Sequence, residues 1–529
     1  MTLPGMPAAH YDAVVIGAGF AGLYMLHRLR KLGMTVRVFE RGDGVGGTWY
    51  WNRYPGARCD TESVTYSFSF SDELQQEWEW TERYAPQAEI LAYANHVAER
   101  FDLKRDIEFE TSITSAHYDE AGARWLVTDE RGSTVSARFL VSAVGCLSAA
   151  ALPDYPGLED FRGEWYHTGR WPHEPVSFTG KRVGIVGTGS SGVQSTIAIA
   201  PQAKHLTVFQ RTPNYSIPAW NGPLDPAATR KLKENYAEWR ARSRYAQIGI
   251  PFDSNGKAAK SVPPAQRERE YEAAWAEGGF NFVMAYPDIL TDLESNRTAA
   301  DFVERKIREK VKDPKIAELL IPTDHPLGTK RLCVDTGYYE TFNRDNVTLV
   351  DLRSAPIERI TPTGLRTANA DYALDTIVFA TGFDAITGPL MKLDIRGRGG
   401  IALREKWADG GQPERALQHA DVDRAARRLH DRLHRDDAAA RHRLDRAERG
   451  GRGALGTHGP RGRSHDALSA RAVLVHGREH PRQAAAVHAL CRRRRHLSSR
   501  LRGGRREGLR GLRAAARVSE PGRRWIGPS

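Results

Sequence analysis

The chain predicts an α/β protein built on two dinucleotide-binding, Rossmann-like domains, with a helical insertion and a C-terminal tail that stays disordered. Three observations carry this. A GxGxxG loop opens the chain at Gly17, Gly19 and Gly22, a second stands at Gly187, Gly189 and Gly192, and the composition changes abruptly after about residue 410.

Each loop is informative through its setting. Ala13-Val14-Val15-Ile16 is a short apolar, β-branched run, the first glycine loop follows at once, and Leu23 to Leu32 reads as a helix stopped by Gly33. In such a strand, turn and helix, the first glycine permits the turn and the second lets the backbone approach a pyrophosphate. The third lets helix and strand pack closely, with the phosphates at the helix N-terminus. A second strand, Thr35 to Phe39, ends in Glu40, where an acid accepts both hydroxyls of an unphosphorylated adenosine ribose, as in FAD or NAD.

The second domain repeats the plan with a different ending. Arg182 to Val186 is the strand, Gly187-Thr188-Gly189-Ser190-Ser191-Gly192 the loop, with Gln194 just beyond it, and His205 to Phe209 the next strand. That strand closes on Gln210-Arg211-Thr212 instead of an acid, and arginine there suits a 2′-phosphate, hence NADPH. One GxGxxG is weak evidence, since ordinary turns also carry it. Two copies with opposite ribose endings imply FAD plus NADPH.

Two further strings are specific. They are Gly46-Gly47-Thr48-Trp49-Tyr50-Trp51-Asn52-Arg53-Tyr54-Pro55-Gly56-Ala57-Arg58-Cys59-Asp60 and Phe161-Arg162-Gly163-Glu164-Trp165-Tyr166-His167-Thr168-Gly169-Arg170-Trp171-Pro172. With them, residues 10 to about 410 resemble the Baeyer–Villiger monooxygenases, flavoproteins that insert oxygen next to a ketone carbonyl to give an ester or lactone. The resemblance implies a ketone and O2 as substrates and a C4a-peroxyflavin as the oxygenating species. Relatives that oxidise nitrogen or sulfur match the second string loosely and lack the first.

A peroxide anion that must survive long enough to attack a carbonyl is favoured by a permanently protonated guanidinium close by. Arg331, in Gly328-Thr329-Lys330-Arg331-Leu332, resembles the family's catalytic arginine, and Asp60 the carboxylate that orients it through a bidentate pair. The resemblance also places Thr48, Trp49, Asp60 and Tyr66 along the flavin, Thr381 and Gly382 near it, and Lys330 with Arg211 and Thr212 on the NADPH 2′-phosphate. His167 reads as structural or as a link between the domains.

The domain boundaries expected are 1–147 for the first part of the FAD domain, 148–329 for the NADP domain, and 330–410 for the return to the FAD domain. Within the NADP domain a helical insertion spans about 225–312, rich in Arg, Glu and Ala.

Residues 411–529 are of another kind. They hold 29 Arg, 12 acidic residues and 10 of the 18 His, without Lys, Phe, Tyr, Met or Asn, so they cannot build a core. They also create the net charge of +12, because the rest of the chain is mildly acidic. A basic tail normally suggests nucleic acid. Here another origin is stronger: Gly477 to Ala484, with its codons read one base later, permits GANIPGKP, and its surroundings permit further strings typical of this family's closing segment. A deletion with a frameshift near Gly410 is inferred, and no nucleic-acid partner is expected.

Four scattered cysteines, Cys59, Cys146, Cys333 and Cys491, have neither metal nor disulfide spacing. No apolar run of about 20 residues or secretory segment is seen, so a cytoplasmic, metal-free, membrane-free monomer is expected. Two other readings stay open: a nitrogen- or sulfur-oxidising monooxygenase or NADPH oxidase on the same fold, and an inactive, decayed flavoprotein.

Overall fold

The protein is seen in a computed structural model that describes residues 9–246, 249–252 and 256–408. The Arg-rich stretch from 411, and the disorder expected of it, lie outside the described residues.

The apolar run ahead of the first glycine loop becomes an interior strand of a seven-stranded sheet. His10–Ile16 pairs in parallel with Val36–Phe39 on one side and Thr134–Ser142 on the other. Ala13, Val14 and Val15 are fully buried, as a β-branched run covered on both faces must be. Beyond Val36–Phe39 lies Ile107–Glu108; beyond Thr134–Ser142 come Arg124–Asp129, Ile113–Asp119 and Asp394–Arg396. The helix Phe20–Lys31 presses Leu23, Leu26 and Leu29 onto this sheet. Each such side chain contributes about 1.5–3 kcal/mol through burial. Arg28, Arg30 and Lys31 occupy the last turn, where cations complement the helix dipole, and Gly33 at φ +73° lets the chain leave.

The second sheet has five strands, all parallel, in the order Val347–Asp351, His205–Gln210, Arg182–Val186, Thr376–Phe379 and Glu164–His167. Arg182–Val186 leads through the second glycine loop into the helix Ser190–Ile199. Between Pro226 and Leu320 the described residues are mainly helical, with Leu293–Lys310 the longest element, burying Phe302, Val303 and Ile307. Asp225 caps the first of these helices through its carboxylate, followed by Pro226 in the first turn.

Val347–Asp351 and Thr376–Phe379 both pair within the second sheet, and the first sheet is rejoined at Asp394–Arg396, beyond the segment Ala380 to Asp384 that reads in the sequence as the chain's return. The reason is burial. All four residues of Thr376–Phe379 are buried between two parallel neighbours, so this strand completes the second sheet's interior.

The two crossings between the sheets run side by side. Ala151 N–H donates to Gly382 O at 3.0 Å, Asp384 N–H to Ala149 O at 2.9 Å, and Ile386 N–H to Cys146 O at 2.8 Å. His167, only 2% exposed, fastens this ribbon. Its Nδ1 accepts from Gly169 N–H, and its Nε2 lies 3.1 Å from the Thr381 hydroxyl, which itself donates to Ala151 O. That pattern demands a neutral ring protonated at Nε2, consistent with burial holding its pKa below the usual value. No helix of the described residues is long and apolar enough to cross a membrane.

Candidate functional site

Both glycine loops show why a side chain is refused. A Cβ on Gly17 would lie 2.6 Å from Ala143 O and one on Gly22 1.9 Å from Gly17 O; on Gly187 and Gly192 the corresponding distances are 2.4 Å to Ala380 O and 2.1 Å to Gly187 O. Gly19 and Gly189 are the N-caps of the two following helices, and neither cap has a side-chain hydrogen bond. The first-turn N–H groups are therefore open to an anion at both loops.

Glu40 ends its strand 5% exposed, with Oε2 accepting from Ala18 N–H at 2.7 Å and Oε1 from Gly42 N–H at 2.8 Å. The carboxylate holds the first loop in shape and keeps further lone pairs free to accept. In the second loop Thr188 donates to Thr212 O at 2.8 Å, tying the loop to the segment that carries Arg211, while the Ser190 hydroxyl lies 3.7 Å from Cys333 Sγ. Arg211 and Lys330 are exposed.

The long string folds against the first loop. Gly47, at φ +54°, would bring a Cβ to 2.9 Å from Gly19 Cα, so only glycine allows the two backbones to meet. The short helix Thr48–Trp51 follows, and Trp49 Nε1 donates to the Tyr66 hydroxyl at 2.9 Å. Burial raises the Tyr66 phenol pKa, which keeps it protonated.

At the end of the string, Asp60 meets Arg331. Nε donates to Oδ2 at 2.9 Å and Nη2 to Oδ1 at 2.5 Å, a two-pronged pair across 271 residues of chain. Burial works against the guanidinium's charge, but the hydrogen bonds and charge of Asp60 outweigh it and raise its pKa. Asn214 Nδ2 donates to Arg331 O at 2.9 Å and to Cys333 Sγ at 3.2 Å, so the backbone under the arginine is held as well. Burial pushes the thiols of Cys59 and Cys333 up to about 12, which leaves both inert as nucleophiles.

The structure also brings in residues that sequence reasoning missed. Phe280 sits under Arg331, its ring centre 5.3 Å from the guanidinium carbon. It is placed by Gly278 and Gly279, at φ +77° and +62°; a Cβ on Gly279 would lie 2.2 Å from the Tyr84 hydroxyl. The Gly-Gly pair was the available signal. Asp60 and Phe280 together form part of the wall of a cavity of about 390 Å³, with Tyr84, Trp239, Phe252 and Met284 among its other lining residues. Gln194, just beyond the second loop, has its amide bonded to Tyr54 and Arg58.

The flavin-binding monooxygenase-like family matches residues 11–220. The chain is 47% identical over 406 residues to a Baeyer–Villiger monooxygenase of Pseudooceanicola batsensis, covering 76% of this chain and 74% of that protein. It is 45% identical over 404 residues to a phenazine N-monooxygenase of Lysobacter antibioticus, covering 76% and 74%. Among solved structures, a steroid monooxygenase bound to NADP is 59% identical at a TM-score of 0.74, covering 76% of each chain. OTEMO in complex with FAD and NADP is 44% identical at a TM-score of 0.74, covering 76% of this chain and 77% of that one.

Proposed function

The chain belongs to the flavin-binding monooxygenase-like family, among the Baeyer–Villiger monooxygenases, and on that premise we propose that it oxidises a ketone to an ester or lactone with FAD, NADPH and O2. The observation that carries this reading is the Asp60–Arg331 pair, whose Asp60 lines a cavity. The residues fit both cofactors: two glycine cradles that a Cβ would fill, two uncapped helix N-termini, and Glu40 against Arg211 at the ribose ends.

Bound FAD, reduced by NADPH, supplies the oxygen-activating chemistry. Arg331 then supplies charge. It is held by Asp60 in one orientation, and its fixed positive charge favours negative charge developing on oxygen beside it, with no proton exchanged. Glu40 and the first loop hold the FAD end, with Thr48, Trp49, Tyr66, Thr381 and Gly382 along the flavin. Thr188, Arg211, Thr212 and Lys330 hold the NADPH phosphates, and Arg211 provides the preference over NADH. The cavity behind Asp60 and Phe280 receives the ketone.

A second reading, oxygen transfer to nitrogen, is favoured by the phenazine N-monooxygenase, which is nearly as similar as the Baeyer–Villiger relatives. Product analysis of Arg331→Ala tests the assignment: flavin reduction by NADPH is expected to persist while the ester disappears. An unchanged ester yield would remove Arg331 from this role.

The reading of residues 411–529 as a shifted frame is part of the same proposal. Its support is that the likeness stops short: each of these relatives is matched over about three quarters of this chain and of itself. The enzyme is further read as a cytoplasmic monomer.

A further inference from the structure

The string that ends in Asp60 does not stay with the first sheet. At Gly56 it crosses to the helix Ser190–Ile199, the helix that begins at the second glycine loop. Gly56 has φ +80°, and a Cβ there would lie 2.6 Å from Gln194 O and 3.1 Å from the Ala198 methyl, so the loop lies backbone to backbone on the helix. The Gln194 side chain closes the contact. Its Oε1 accepts from the Tyr54 hydroxyl at 2.9 Å and from Arg58 N–H at 3.4 Å, and its Nε2 donates to Arg58 O at 3.2 Å. Both oxygen lone pairs are then in use, and the group is 6% exposed beside a Tyr54 that is 9% exposed.

The same helix also touches the other half of the catalytic pair. Ser190, in its first turn, lies against Cys333, two residues beyond Arg331. One helix is therefore joined at Gln194 to the loop bearing Asp60 and at Ser190 to the strand following Arg331. Its N-terminus is the anion site of the second loop.

We propose that Gln194 is a positioning residue, clamping the Asp60 loop to the pyridine-nucleotide helix so that filling the second glycine loop is felt at the Asp60–Arg331 pair. The inference rests on the NADPH reading above. A buried, doubly accepting amide is a stiff link, because releasing the loop leaves Gln194 and Arg58 without partners. Coupling between two sites then needs only that both bias the same element.

The test measures NADP⁺ affinity by calorimetry and amide hydrogen exchange of residues 53–60 with and without NADP⁺, on the full chain carrying FAD. In the parent, NADP⁺ is expected to slow exchange in this segment by about fivefold or more. Gln194→Met is expected to bind NADP⁺ within about threefold of the parent but to lose that protection. Gln194→Glu, which keeps the acceptor for Tyr54, is expected to recover part of it. Should Gln194→Met not fold, Tyr54→Phe removes the hydroxyl donor from the loop side, leaves the helix unaltered, and carries the same expectation. A weakening of NADP⁺ by about tenfold or more with protection unchanged would make Gln194 a ligand and overturn the proposal. Failure of the parent to bind NADP⁺ at all overturns the NADPH reading first, and the clamp with it.

Discussion

The Arg331 guanidinium rests on the face of Phe280, 5.3 Å from the ring centre, while its edge is gripped by Asp60. Two contacts on different faces leave the fork one orientation. A cation over an aromatic face is stabilised by about 0.5–2 kcal/mol. Phe280→Ala is therefore expected to lower ester formation about 2–30-fold relative to flavin reduction, with peroxide released instead. Phe280→Tyr keeps the face and is expected near the parental ratio. Equal product ratios in the alanine variant and the parent would deny the ring any part in positioning.

The Asp60 contact is two-pronged, and lysine cannot reproduce it. Arg331→Lys retains the charge but loses the fork, so ester yield is expected to fall by about tenfold or more while NADPH still bleaches the flavin. Full activity in the lysine variant would mean that charge alone suffices.

In the second unit Gln210 stands where the first has Glu40, and Arg211 follows it. Arg211→Ala is expected to weaken NADPH by about 1–3 kcal/mol, because a charge-assisted contact to phosphate is lost, and to leave NADH nearly unchanged. Steady-state KM values for the two coenzymes decide it. Equal use of both by the parent would remove the 2′-phosphate role.

His27 links stability to pH. Burial, helped by Lys31, Arg28 and Arg30, holds its pKa down at about 4, from an ordinary 6.5. Its ring stacks on Phe70 at 4.4 Å and meets Phe101 edge-on at 4.8 Å. Below the ordinary value the unfolded chain takes up a proton that the folded chain refuses. The stabilisation is thus complete above about pH 6.5 and is lost as pH falls towards 4. His27→Gln should shrink the difference in unfolding free energy between pH 7 and pH 5 by about 1–2 kcal/mol, screening of this half-buried site included. Urea unfolding at the two pH values measures this; an unchanged difference would mean that the ring titrates normally.

The shifted-frame reading is checked on nucleic acid. Resequencing across codon 410 is expected to show a deletion whose repair restores an in-frame closing segment, and the restored protein should purify yellow with FAD. An unaltered reading frame would leave the Arg-rich stretch as genuine protein.

Much of this protein was legible in the chain because the demands are local. The glycine loops had to be glycine for reasons within a few residues, such as the Gly22 Cβ that would strike Gly17 O. The β-branched runs at Ala13–Ile16 and Arg182–Val186 had to be buried strands, and Glu40 and Arg211 stand at the ends of short strands whose direction follows from the turn before them. The Asp60–Arg331 pair was reached through resemblance alone, since no spacing relates residues 271 apart.

What lay beyond the sequence was decided by packing between units. The late rejoining of the first sheet at Asp394 followed from the need to bury Thr376–Phe379 on both sides. Nothing in the sequence near Gln194 points to Tyr54, 140 residues earlier, whose hydroxyl donates to its amide oxygen. Phe280 carries no motif and gains its place because two glycines turn the chain beneath Arg331. Backbone conformation and periodicity are set by neighbours in sequence and can be read there. Which side chain meets which across two sheets depends on how both surfaces close together, and only the tertiary structure decided that.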